Sequence, residues 1–145
     1  MSVSLKWDNH NKTVLRLFFW DEWSVKQYGE LFEEALEMIA SVRHDVDILI
    51  DFRTGDFLPK FDTIPIFRRV MDSLPENAGI LVYVSESQAQ RALFNVHLKF
   101  YETVRKRQNR RLFFVEDLPE AYEIIEEHRI ERSKANQARS KATQG

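Results

Sequence analysis

Few residues in this chain have the type and spacing to do chemistry. Asp51 closes the apolar run Ile48-Leu49-Ile50, and Phe52, Arg53, Gly55 and Pro59 then lead to a helix start at Asp62 or Thr63. In open α/β sheets the carboxyl end of a buried strand is where ligands and switch residues sit. Asp51, Arg53, Gly55 and Asp62 are therefore the candidate switch loop. An aspartate at a strand end can also accept a phosphoryl group. That chemistry needs an acidic pair after the first strand to hold a metal, and a later Lys. Glu116-Asp117 follows Phe113-Phe114-Val115 instead, so Asp51 reads as structural.

His10, His44, His97 and His128 are scattered, without H-x-H or H-E-x-x-H spacing, so no metal is expected. A chain with four glycines offers no G-x-S-x-G elbow, phosphate-binding loop or G-x-G-x-x-G. No enzyme and no cofactor are expected. Cysteine is absent, which excludes disulfides and thiolate catalysis and permits a reducing compartment. No apolar run is long enough for a membrane span, and the first residues lack a signal-peptide core. The expectation is a cytoplasmic protein with no integral membrane segment.

The net charge of −2 conceals two basic segments, Arg105 to Arg111 with +5 and residues 129–145 with +4, set against an acidic remainder. A nucleic-acid module tends to be basic throughout, so no nucleic-acid partner is expected. Each segment has a simpler use at a helix end or in solvent, since cations favour helix C-termini.

The elements that must position these residues follow from periodicity. Val3, Leu5 and Trp7 alternate with polar residues, Asp8 to Lys12 is turn chemistry, and Thr13 to Phe19 is a second strand, giving an opening hairpin. Ser24 and Gln27 form a capping box for a helix to about Ser41, with Glu30, Glu33, Glu34 and Glu37 on its solvated side. The buried strand around Ile48-Leu49-Ile50 follows. A second helix has Pro65 in its first turn and Pro75 as its stop, and Gly79 to Val84 is another buried strand. A long helix from Ser85 or Ser87 to about Lys106 carries two apolar stripes. One is Ala89, Leu93, Val96, Phe100 and Val104; the other is Phe94, His97, Leu98 and Tyr101. One stripe suffices to bury a surface helix, so Phe94, Leu98 and Tyr101 are expected partly exposed in the monomer and covered in a homodimer. Leu112 to Val115 is the last strand, and Asp117-Leu118-Pro119-Glu120 caps the last helix. The domain is expected over 1–132. Residues 133–145 are small, polar and basic, and should be disordered or a frayed helical extension. The order ββαβαβαβα requires a mostly parallel sheet with an opening antiparallel hairpin and four helices.

With these residues placed, the chain resembles the STAS superfamily, in its anti-sigma-factor-antagonist-like branch, which is related to CRAL-TRIO lipid-transfer folds. The matching pieces are the hairpin, Trp23-Ser24-Val25, Asp47 to Phe52, Ala78 to Val84 and Glu120 to Ile125, across roughly residues 3–130. The resemblance implies a non-enzymatic regulatory module that binds a protein partner or itself. It also implies a switch by phosphorylation at the start of the second helix, where Thr63 is the matching position. A phosphate there would meet free N–H groups and the positive end of the helix dipole. Asp62 or Thr63 serves equally as an ordinary N-cap worth about 1 kcal/mol. The loop from Asp51 to Thr63 is a few residues longer than the family's and lacks its Ser pair. The alternative is a carrier holding a small apolar ligand or lipid between helices and sheet, given the CRAL-TRIO kinship and eleven Phe.

Overall fold

A computed structural model describes residues 2–55, 64–105 and 111–144. The elements are β1 (Val3–Trp7), β2 (Val14–Asp21), α1 (Val25–Ala40), β3 (Val46–Gly55), α2 (Ile64–Asp72), β4 (Ala78–Val84), α3 (Gln88–Arg105), β5 (Leu112–Val115) and α4 (Leu118–Gln144). They build an α/β fold whose five-stranded sheet has the order β1-β2-β3-β4-β5. Only β1 and β2 pair antiparallel; the other neighbours are parallel.

The local signals act as the chemistry requires. Lys12 takes a positive φ in the β1–β2 turn, and Asn9 Oδ1 accepts from the Thr13 and Val14 amides. At α1 the Ser24 hydroxyl accepts from the Gln27 amide and the Gln27 side chain accepts from the Ser24 amide. Asp117 caps α4 by accepting from the Glu120 amide.

Each crossover adds its strand beside the last. Right-handed crossovers then place every connecting helix on one face, and α1, α2 and α3 share a single core with that face. This core is ringed: Phe19 stacks on Phe52 at 4.4 Å, and Phe94 stacks on Phe114 at 4.9 Å. Tyr83 joins the two halves, 6.0 Å from Phe52 and 4.9 Å from Phe94. Such pairs contribute about 0.5–1.5 kcal/mol each beyond the area they bury. On the other face α4 packs Ala121 and Ile125 against Leu49, Val82, Val84 and Val115.

One expectation is corrected. On α3 Phe94 turns inward, 6% exposed, and Leu98, partly exposed as expected, packs on the same core. Leu93 and Val96 face solvent at 38% and 63%. Phe94 goes in because Phe52, Tyr83 and Phe114 offer ring partners there. The side chain of Tyr101 lies outside the described residues. Of the two alternatives for the tail, the helical extension is the one seen, since α4 runs to Gln144. Lys, Ala, Gln and Arg are good helix formers, and adding residues to an existing helix escapes the nucleation cost.

Candidate functional site

The second core leaves part of its face uncovered. α4 lies over β4 and β5, so β1, β2 and the end of β3 present Lys6, Arg16, Phe18, Trp20 and Arg53 outward, from half-buried to exposed. Strand alternation sets this side. Phe18 pairs with Asp51 and Trp20 with Thr54, so β3 takes three steps where β2 takes two. The extra residue is a bulge, a device that re-aims side chains at a strand end.

Around it stands a polar network. Asp51 is fully buried and accepts from Arg16 Nη2 at 2.8 Å. It also accepts from the Arg53 amide at 3.0 Å and from Arg53 Nε and Nη2 at 3.0 and 2.9 Å. Arg16 reaches on to Asp8 at 3.7 Å and places its guanidinium 5.6 Å from the Phe18 ring centroid. Phe18 lies 5.3 Å from Trp20. Tyr122, from α4, donates to Asp8 at 2.6 Å and closes the network across 114 residues of sequence.

The electrostatics decide what these groups can do. Burial alone would raise the Asp51 carboxyl, but hydrogen bonds from Arg53 and Arg16 outweigh it and hold the group below its ordinary value. Arg53 is raised in turn, chiefly by its hydrogen bond to Asp51. Tyr122 is pushed up to about 12, by burial first and then by donation to Asp8. A carboxylate with four donors on it is a poor base, and a phenol this weak is a poor acid at neutral pH. Asp51 thus fixes two arginines beside two aromatic rings, an arrangement suited to holding a partner surface.

No family model, curated protein or solved structure matches the chain.

Of the candidate switch residues, Asp51 and Arg53 meet directly, and Gly55 ends β3 opposite Asp21. Asp62 and Thr63 lie outside the described residues. Sequence reading missed Asp8, Arg16 and Tyr122. The available signal was Arg16 itself, a cation inside the apolar strand Val14 to Phe19. The strand order also removes one reason for expecting a ligand at the end of β3. A binding crevice forms where successive connections leave in opposite directions, and here β2 to β5 follow one another without reversal. No helix among the described residues is long and apolar enough to cross a membrane.

Proposed function

We propose that the chain is a non-enzymatic, STAS-like regulatory module that binds a protein partner or a second copy of itself through the outer face of α3. The observation that carries this reading is the outward stripe of Leu93 and Val96, flanked by exposed Ala89 and Ala92. Val96 and Leu93 keep 63% and 38% of their surface exposed on one side of the helix, apolar area that a partner lying there would remove from water. Phosphorylation of Thr63, implied by the family resemblance, is the proposed switch.

The carrier reading loses its main argument, because Phe19, Phe52, Phe94 and Phe114 fill the space between sheet and helices with ring contacts. Native mass spectrometry, light scattering and organic extraction of the purified protein separate the two. A dimer abolished by Val96→Glu, or a photocrosslink from position 96 to one protein in host cells, supports the module. A co-purifying lipid with no protein adduct overturns it in favour of the carrier.

A further inference from the structure

Arginines from the two basic segments, remote in sequence, line one space. Arg111, the last residue of the first, lies just before β5, and Arg132 and Arg139, from the second, stand on α4; all three line one cavity of about 550 Å³. Gly79, His128 and Asn136 also line it. A helix dipole explains cations at the end of α3, and solvation explains cations on α4. Neither explains why Arg111 and the cations of α4 arrive at the same cavity.

The helix itself adds a second argument. From Ser133 onward α4 has no large apolar side chain, and residues 133–139 are all exposed. Packing therefore gives no reason for the helix to continue. What the continuation does is carry Asn136 and Arg139 along the cavity. Arg132 is held by Asp47 and by Asp45, 3.7 Å away, so it serves as a fixed wall. Glu76 and Asp45 also line the space, which disfavours a bare polyanion lying across it and favours a ligand with one compact anionic end. A second cavity of about 430 Å³ shares Asp45, Arg132 and Asn136 and adds Arg129 and His44, extending the basic groove.

From this convergence we infer that the cavity between β4, β5 and α4 binds a small phosphate-bearing ligand, with Arg111 and Arg139 on the phosphate. Guanidinium groups suit this because their fork of donors matches phosphate oxygens. The volume lies within the range of small-molecule sites, about 300–1,000 Å³. The site is independent of the α3 face.

The test is calorimetry on the full chain with inorganic pyrophosphate and with glucose 6-phosphate, at ionic strength matched with sodium chloride. Saturable binding at one site is expected for at least one of them. The change Arg139→Gln should weaken it roughly tenfold, as loss of a charge-assisted bond does, with circular dichroism showing that the variant is folded. Arg111→Gln should act in the same direction, and Lys26→Gln on α1 should leave binding unchanged. No saturable binding of either phosphate overturns the inference, as does binding that Arg139→Gln and Arg111→Gln both leave intact. Binding of a single-stranded oligonucleotide or of phosphatidic acid vesicles, with neither small phosphate bound, overturns it in favour of a polyanion surface.

Discussion

Asp47 and Arg132 lie 85 residues apart and meet through two parallel hydrogen bonds of 2.9 Å. Asp47 is 1% exposed, the second residue of β3, and its Oδ1 also accepts from the Ile80 amide. The pair presses so closely on β4 that a Cβ at Gly79 would collide with both the carboxylate and the guanidinium. Breaking a buried pair by removing one partner costs about 3–5 kcal/mol, since the other charge stays behind unpaired. Arg132→Ala should lower the urea-unfolding free energy by that amount, and Gly79→Ala should also destabilise. A loss under about 1 kcal/mol for Arg132→Ala, the range of exposed pairs, would show that water already serves Asp47.

Phe94 and Val96 should behave oppositely. Phe94→Ala removes a ring stacked on Phe114 and should cost about 3–5 kcal/mol. Val96→Glu sits in solvent and should shift stability by no more than about 0.5 kcal/mol, while abolishing association through α3. Denaturant melts and light scattering on the two variants check both halves.

Asp51 predicts an acid limb. Its carboxyl is held below its ordinary value of 3.8 in the fold, so the folded state favours the ionised form more than the unfolded state does. The stabilisation is complete above the unfolded value and is lost as pH falls below it, through the folded value. Asp51→Asn should lower stability at neutral pH and flatten this part of the acid profile. An acid limb as steep as that of the parent protein would count against the arginine clamp.

The alkaline limb has another source. Tyr28 is fully buried, which raises its phenol from 10.0 to about 12 despite a hydrogen bond with Tyr83 that acts the other way. Folding keeps this proton on, so the contribution is intact below pH 10.0 and fades as pH climbs towards about 12. Tyr28→Phe should reduce that slope, the remainder coming from Tyr83 and Tyr122, whose phenols are also raised. Stability measured across this range in the two proteins decides it.

Much of the fold was legible because its signals are local. The Ser24 and Gln27 box, the Asp117 cap, the turn at Asn9 and the β-branched run of β3 each act within a few residues. What was not legible depended on partners far along the chain. Arg16 and Asp51 are 35 residues apart, and Asp8 meets Tyr122 over 114. Arg132 reads from sequence as one more surface cation. Its signal lay in Asp47, a charge inside an apolar strand that had to find a counter-charge. The two stripes of α3 were equal by helical period, and only the rings waiting on β3, β4 and β5 chose between them. The phospho-acceptor candidate Thr63 lies outside the described residues, so the switch rests on the family resemblance.

Because every crossover helix lies on one side of the sheet, α4 is the one described helix on the other, over β4 and β5. Its release would uncover Leu49, Val82 and Val84 and in the same step strip Asp47 of its counter-ion. The two penalties fall together, so partial fraying from the C-terminal end is cheap only as far as Arg132. Beyond that residue the helix should detach all at once, as a cooperative unit whose amides exchange with solvent at one common rate.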